Sequence, residues 1–396
     1  MSILALTKEQ KSWILSNCDN SSQEDYLNVL AESGFGEQDI QQFNSEMGRL
    51  MLVNELGAEE IATDSVNLDL FRKCKRHEDA RCQVGHVKSN LEKRLRLDSD
   101  SSTSRRSEHQ KKLNDGYQAF MKNVNATVLM FDKSAFENIE TFEPGPNGKI
   151  KLDSVKCRDL IDLFDFGGDD SQLCNTFFYS NEQVPNTDIL GSGFFIGPDR
   201  VVTAAHVLEK AFFYNILPKN LMLVRGHFAY NTQALSIEVE ENQLYVMDQE
   251  TLIINDQVRY GDPNGDMAWI KVRPYRNNDI ELNFNGFAPE PIAKGKKVYA
   301  LGHGLGIPMK ISFNGIITDD IYNGRATMFT CKMHILPGNS GSPIFDANTH
   351  QLVGVVGGLH EIIAVPNPQD DCADLSINMK GPFNGIATHI KPFTEF

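Results

Sequence analysis

The sequence predicts an α+β multidomain protein, in which an N-terminal α-helical domain precedes an all-β domain. Over residues 1–70, apolar side chains recur three and four positions apart, which is the period of one buried helix face. From Ala126 onward, short apolar segments alternate with turn clusters such as the one at 144–148. Many short strands separated by turns are typical of a β-barrel or a β-sandwich.

We place the domain boundaries where the composition changes. The helical domain is predicted to span residues 1–95 and the β domain residues 118–396. Residues 96–117 include a serine-rich polar stretch, which is typical of a linker. We expect the helical domain to act in regulation or recruitment, through a protein partner or through self-association. A helical packing unit without a binding role is the alternative interpretation.

Composition and charge indicate a soluble globular protein. The chain has 396 residues, of which 41% are apolar and 23% charged, and its net charge is −15. This acidic balance argues against general affinity for nucleic acid or for an anionic membrane. No apolar run reaches the roughly 18 residues of a membrane-spanning helix. The first residues lack a secretory leader, and the seven cysteines are not spaced as a disulfide framework. We therefore predict a cytoplasmic protein with reduced cysteines and no membrane partner.

Residues 72–112 carry an excess of Lys and Arg, in contrast to the acidic remainder of the chain. A solvated basic helix is the favoured interpretation, and a docking surface for an acidic partner or for nucleic acid is the alternative. Four possible zinc ligands by residue type lie within it: Cys74, His77, Cys82 and His86. Their spacing does not match the usual zinc-finger pattern. We expect no metal site there and no cofactor in the chain.

The stretch at 336–343, Leu-Pro-Gly-Asn-Ser-Gly-Ser-Pro, carries a candidate nucleophile. A serine among small residues suits a tight turn that presents the hydroxyl of Ser340. Gly338 can adopt backbone angles that are closed to other residues, so its N–H group can turn toward a ligand. The N–H groups of Gly338 and Ser340 could then point at one spot. Paired N–H groups of this kind stabilise the negative oxygen of a tetrahedral intermediate.

A candidate base and a candidate orienting acid precede this serine. Residues 191–206 are predicted to form two short apolar strands around a Gly-Pro-Asp-Arg turn, the second of which delivers His206. Asp266 stands at the start of another apolar segment, Met-Ala-Trp-Ile-Lys-Val. A serine hydroxyl is nearly inert until a histidine takes its proton, and a carboxylate fixes the tautomer of that histidine.

The order histidine, aspartate, serine is that of the chymotrypsin-like serine proteases, since other hydrolases with this triad use other orders. Three motifs resemble that family. They are Thr-Ala-Ala-His ending at His206, Asp-x-Ala-x-Ile beginning at Asp266, and Gly-Asn-Ser-Gly-Ser-Pro around Ser340.

Further features are similar to the bacterial glutamyl-endopeptidase branch of the family, namely Asn339, Ser342 and the glycine-rich segment 301–308. The resemblance covers roughly residues 120–396. It implies two six-stranded β-barrels with the active site in the cleft between them. It also implies a protein or peptide substrate.

The resemblance assigns a role to each motif residue. Ser340 would be the nucleophile, His206 the general base, and Asp266 the carboxylate that orients the histidine. The backbone N–H groups of Gly338 and Ser340 would form the oxyanion hole.

The resemblance also indicates the substrate pocket. His334, six residues before the nucleophile, would lie near its floor, and Val356 and Gly357 would form a wall. A histidine floor would accept an acidic side chain through a charge-assisted hydrogen bond, and a preference for a small apolar or polar side chain is equally open. We interpret His303 and His360 as structural rather than as ligands.

Two functions fit these features. The favoured one is an intracellular serine endopeptidase that its helical domain regulates or targets. The alternative is a non-catalytic adaptor or scaffold whose protease-like barrel only binds. Asn339 stands where the trypsin branch has the carboxylate that pairs with a freed N-terminal amine. We therefore expect the uncut chain to be able to reach an active arrangement.

Overall fold

The structure is a computed structural model. It describes residues 115–116, 118–133, 149–160, 172–174, 180–214, 216, 218–231, 236–248, 265–275, 284–289, 292–359, 362–367, 372–377 and 383–390. The predicted helical domain, the candidate zinc ligands and almost all of the predicted linker lie outside these residues, and their interpretation stays a prediction. Among the described residues, no helix is both long and apolar enough to cross a membrane.

Strands dominate the described part of the chain. In chain order they are β1 Thr127–Asp132, β2 Lys149–Lys156, β3 Gln172–Leu173, β4 Gln183–Pro185, β5 Ile189–Gly197, β6 Arg200–Thr203, β7 Leu221–Arg225, β8 Ala229–Asn231, β9 Ser236–Glu240, β10 Leu244–Met247, β11 Ala268–Pro274, β12 Lys297–Gly302, β13 Lys310–Asp319, β14 Met328–Lys332, β15 Pro343–Asp346, β16 Leu352–Leu359, β17 Ile362–Pro366, β18 Cys372–Ile377 and β19 Gly385–His389. The helices are α1 over 118–126, α2 Cys157–Leu160 and α3 Ala205–Phe213, with short 3₁₀ helices at Pro218–Asn220, Glu241–Gln243 and Gly304–Gly306.

Twelve of these strands close into two antiparallel six-stranded barrels. The first barrel has the order β1-β5-β6-β11-β10-β7, and the second has the order β12-β13-β14-β19-β16-β15. Because each sheet closes on itself, no strand of either barrel is a free edge over its whole length. The predicted double-barrel domain is confirmed.

The first barrel is buried on both of its faces at β1. Val128 and Met130 pack into one hydrophobic cluster, while the alternate residues Leu129 and Phe131 pack into another. The second cluster includes Ile150 and other residues of the outer sheet, whose strand order is β4-β2-β9-β8. Neighbouring side chains of a strand point to opposite faces. The sequence of a strand that is covered on both faces is therefore a continuous apolar run, not an alternation of apolar and polar residues.

The two barrels pack on each other through aromatic rings. Phe194 of β5 meets Phe345 of β15, with ring centroids 5.3 Å apart. Helix α1 adds Phe120, which lies 6.2 Å from the ring of Tyr299 on β12. The buried Asn123 of α1 donates hydrogen bonds to the Tyr299 hydroxyl at 3.0 Å and to a backbone carbonyl of the second barrel at 2.8 Å. Helix α1 therefore joins the barrels, although the domain boundary at residue 118 stays a prediction.

A disulfide departs from the sequence expectation of reduced cysteines. Cys174 and Cys372 are bonded across a sequence separation of 198 residues. Strand β18 pairs in parallel with β3, and β17 pairs with β18, so the disulfide ties the hairpin after β16 to a distant segment. The expectation was wrong for this pair because cysteine spacing carries no information about strands that meet only in the tertiary fold. Cys157 and Cys331 are buried free thiols.

The disulfide should stabilise the domain measurably. Replacing both partners, as Cys174→Ser with Cys372→Ser, is expected to lower the free energy of unfolding by about 2–5 kcal/mol, since the cross-link restricts the unfolded chain. Chemical denaturation with and without reductant measures this. Reductant should destabilise the wild-type protein to the level of the double variant and leave the variant unchanged. A wild-type protein insensitive to reductant would contradict the prediction.

Candidate active site

His206 and Asp266 are brought together by the pairing of β6 with β11. Ala268 of β11 pairs with Thr203 at the end of β6, so the segments that carry the two residues leave the barrel side by side. His206 lies in the first turn of α3, not at the end of a strand as the sequence predicted. The reason is that Ala204 is already extended and caps the helix start, with its carbonyl accepting a hydrogen bond from the N–H of Val207.

The Asp266 carboxylate holds His206 at two points. Its Oδ2 lies 2.5 Å from Nδ1 of the imidazole, and its Oδ1 accepts a hydrogen bond from the His206 backbone N–H at 3.0 Å. The backbone N–H of Asp266 donates to Oγ1 of Thr388 at 2.9 Å, which ties this residue to the second barrel. Asp266 is 3% exposed, whereas the His206 side chain is 27% exposed. Because Nδ1 faces the carboxylate, Nε2 lies on the opposite side of the ring.

The serine loop begins with a tight turn at Leu336–Asn339. The N–H of Asn339 donates to the carbonyl of Leu336 at 3.0 Å, and Gly338 has φ of 84°. Proline in the second position and a glycine with positive φ in the third are the signature of a type II turn. The carbonyl of Pro337 accepts a hydrogen bond from the N–H of Leu305 at 2.5 Å. Since C=O and N–H of a trans peptide point in opposite directions, the N–H of Gly338 faces away from Leu305.

Ser340 is held between strands of both barrels. Its carbonyl accepts a hydrogen bond from the N–H of Ser192 on β5 at 2.8 Å, and the N–H of Gly341 donates to the carbonyl of Val356 on β16 at 2.7 Å. Gly191 lies between the carbonyl of Ser340 and the side chain of Val207. A Cβ placed on Gly191 would lie 2.8 Å from both the Ser340 carbonyl oxygen and a methyl group of Val207. The Ser340 backbone and the residue after His206 therefore both lie against Gly191.

Two of the three residues predicted to line the substrate pocket, His334 and Val356, are buried. His334 is buried, and burial lowers the pKa of its imidazole to about 4. Val356 is fully buried, and its backbone N–H and C=O are bonded to the serine loop at Ser342 and Gly341. Gly357 lies against the acid, since a Cβ there would be 3.3 Å from Oδ2 of Asp266.

Of the two histidines interpreted as structural, His303 lies within the described residues and His360 lies outside them. His303 is fully buried and stacks on Phe228 with ring centroids 5.3 Å apart. Its Nδ1 lies 3.1 Å from the carbonyl of Ile307, and burial lowers the pKa of the ring to about 3. A neutral, stacked ring of this kind fits a structural role. Within the described part of the chain, no cluster of His, Cys, Asp and Glu is suited to a metal ion.

Two site residues escaped the sequence analysis, Thr388 and Ser192. Thr388 stands on the last strand and has no local motif. Ser192 had a signal, since it is a polar residue inside an apolar strand, between two glycines. Its Oγ accepts a hydrogen bond from the N–H of His303 at 3.1 Å and donates one to the carbonyl of Gly338 at 2.9 Å.

Gly341 should be irreplaceable. Its φ is 84°, and a Cβ there would lie 2.0 Å from the backbone oxygen of Ser192. Gly341→Ala is therefore expected to displace the serine loop and to lower peptidase activity at least 100-fold, through a disturbed oxyanion geometry. Gly197→Ala is the control, since a Cβ on Gly197 meets nothing within 4 Å. Assays of both variants check this, and equal activities would contradict it.

Buried neutral histidines should make the domain sensitive to acid. The pKa of His303 is lowered to about 3 and that of His350 to about 4, in both cases mainly by burial. Below pH 6.5 the unfolded chain therefore binds protons that the folded protein does not, and stability falls as the pH drops from about 6.5 toward 4. His303→Gln should reduce this pH dependence by about 1.4 kcal/mol per pH unit. Denaturation at several pH values measures it, and an unchanged slope would refute it.

Comparison with protein families gives one match. Residues 191–355 match the family profile of the trypsin-like peptidase domain. No curated protein matches the chain significantly. The chain is similar to the Rv3671c protease from M. tuberculosis in its active form, with 17% identity over 69% of this chain and 79% of that chain and a TM-score of 0.33. The inactive form of the Rv3671c protease matches with 22% identity over 51% and 79% of the two chains and a TM-score of 0.31. The match of residues 191–355 to a trypsin-like peptidase domain identifies the protein as a serine endopeptidase.

Proposed function

We propose that the protein cleaves peptide bonds with Ser340 as nucleophile, His206 as general base and Asp266 as the group that orients the base. The observation that carries this proposal is the two-point hold of the Asp266 carboxylate on the ring and backbone of His206, at 2.5 and 3.0 Å. A carboxylate in this position fixes the imidazole tautomer and stabilises the imidazolium that forms during reaction.

Each step moves a proton through the imidazole. As Oγ of Ser340 attacks the scissile carbonyl carbon, its proton passes to Nε2 of His206. The same proton is then given to the leaving amine, which breaks the C–N bond and leaves an acyl group on Ser340. Water then attacks the acyl carbon and gives a proton to His206. The ester bond to Ser340 breaks as His206 returns that proton to the serine oxygen, and the carboxylic acid product is released.

The serine loop supplies the groups that stabilise the tetrahedral intermediate. Neither the N–H of Gly338 nor that of Ser340 donates a hydrogen bond to a described residue. Two such donors aimed at the developing oxyanion are each worth about 3–4 kcal/mol of barrier reduction.

The edge of β16 offers a place for an extended substrate. Strand β15 pairs with β16 only as far as Val355, so residues 357–359 have no strand on that side among the described residues. A Cβ on Gly358 would meet nothing within 4 Å, which leaves space above the strand. A substrate backbone that adds to this edge would gain main-chain hydrogen bonds independent of its side chains. This supports a protein or peptide substrate.

The glutamyl-endopeptidase branch stays a prediction, and the burial of His334 favours a neutral side chain at the cleavage position. With its pKa lowered to about 4, the His334 ring is neutral at pH 7 and offers no charge to a carboxylate. We therefore expect peptides with Gln or a small side chain before the scissile bond to be cleaved faster than those with Glu. A peptide library decides this, and a preference for Glu would support the branch instead.

Regulation by the helical domain and the cytoplasmic location remain part of the proposal. The Cys174–Cys372 disulfide weighs against the second, because cytoplasmic thiols are kept reduced. The non-catalytic adaptor has no specific observation in its favour among the described residues.

Substitution of the three residues tests the proposal. Ser340→Ala and His206→Ala should reduce cleavage to background, and Asp266→Asn should lower turnover by roughly 10⁴-fold. Thr349→Ala is the control, since it removes an exposed hydroxyl from the turn between β15 and β16. A fluorophosphonate probe should label the wild type and the control but not Ser340→Ala. Full activity in any triad variant would overturn the assignment.

A further inference from the structure

Ser192 is fully buried, and every polar atom it has is used. Its N–H donates to the carbonyl of Ser340 at 2.8 Å, and its carbonyl accepts a hydrogen bond from Oγ1 of Thr203 at 2.7 Å. Its hydroxyl accepts from the N–H of His303 at 3.1 Å and donates to the carbonyl of Gly338 at 2.9 Å. Two of these four bonds run from the first barrel directly to the serine loop.

The hydroxyl fixes one of the two peptide planes that meet at Gly338. The peptide group between Gly338 and Asn339 is held at both ends. Its carbonyl accepts a hydrogen bond from Oγ of Ser192, and its N–H donates one to the carbonyl of Leu336. The peptide group between Pro337 and Gly338 is held at its carbonyl, which accepts a hydrogen bond from the N–H of Leu305. Glycine reaches mirror-image backbone conformations at little cost, so these bonds, and not Gly338 itself, select the φ of 84°.

Asn339 does not take over this task through its side chain. Its Oδ1 is buried without a hydrogen-bond partner among the described residues. This oxygen therefore does not anchor the loop as a carboxylate in an ion pair would. The hydrogen bond from Ser192 instead comes from β5 of the first barrel.

We propose that Ser192 is a positioning residue, whose hydroxyl holds the serine loop so that the N–H of Gly338 faces the developing oxyanion. This inference rests on the proposed function. It accounts for how the uncut chain can keep an active loop, since the anchor belongs to the folded barrel and needs no new chain end. Ser192 itself does not touch the reacting atoms.

The test compares Ser192→Ala and Ser192→Cys with Ser236→Ala. The first removes the hydroxyl, and the second keeps nearly the same size with a weak donor. Ser236 is the matched control, since it is a buried serine on β9 of the outer sheet whose Oγ has no partner among the described residues. Each variant is assayed with a peptide amide substrate at a temperature at which circular dichroism shows it folded.

Loss of oxyanion alignment should affect the transition state and not the ground state. For Ser192→Ala we expect kcat to fall about 10- to 100-fold with KM within about threefold of wild type, and Ser192→Cys to fall in between. The inhibition constant of a peptide boronate, whose tetrahedral oxygen occupies the oxyanion site, should rise with the loss in kcat. That of an uncleaved peptide should not change. Ser236→Ala should match the wild type.

The outcomes separate the two proposals. Wild-type kcat in both Ser192 variants, or a loss confined to KM, would overturn the role of Ser192 and leave the triad intact. A wild-type protein that neither cleaves peptide nor binds the boronate would overturn the proposed function, and the role of Ser192 with it.

Discussion

The candidate active site depends on the contacts that hold the two barrels together, which we call the seam. Ser340 precedes a strand of the second barrel, whereas His206 and Asp266 flank strands of the first. Any relative shift of the barrels would therefore move Ser340 relative to His206. Hydrogen bonds from Ser192 to Ser340 and Gly338 hold the seam on one side, and the bond from Asp266 to Thr388 holds it on the other. Such shifts matter, because a misplacement of about 1 Å costs catalysis about 100-fold.

Burial of the Asp266 carboxylate is tolerable because its charge is compensated. A buried carboxylate without partners would cost several kcal/mol and would tend to take up a proton instead. Here one oxygen faces the imidazole and the other a backbone N–H of the same residue, His206. The Asp266 side chain is therefore buried, while the His206 side chain remains 27% exposed. This division suits a group that must exchange a proton with substrate.

Much of the fold and of the candidate site followed from short-range patterns. The hairpin before His206, the apolar strand after Asp266 and the glycine turn at Gly338 are local, so residue types at fixed offsets were enough to predict them. The interactions that escaped prediction are long-range. Thr388 and the Cys174–Cys372 disulfide join segments that are far apart in sequence, and no periodicity reports such contacts. The backbone contacts of Val356 with the serine loop are long-range in the same way.

A crystal structure with a peptide boronate bound would test the account most directly. We predict a covalent bond from Oγ of Ser340 to boron, with one boronate oxygen about 2.7–3.1 Å from the backbone nitrogens of Gly338 and Ser340. Another oxygen should face Nε2 of His206, and Oγ of Ser192 should still be bonded to the carbonyl of Gly338. A flipped peptide that turns the carbonyl of Pro337 toward the boronate oxygen would contradict it.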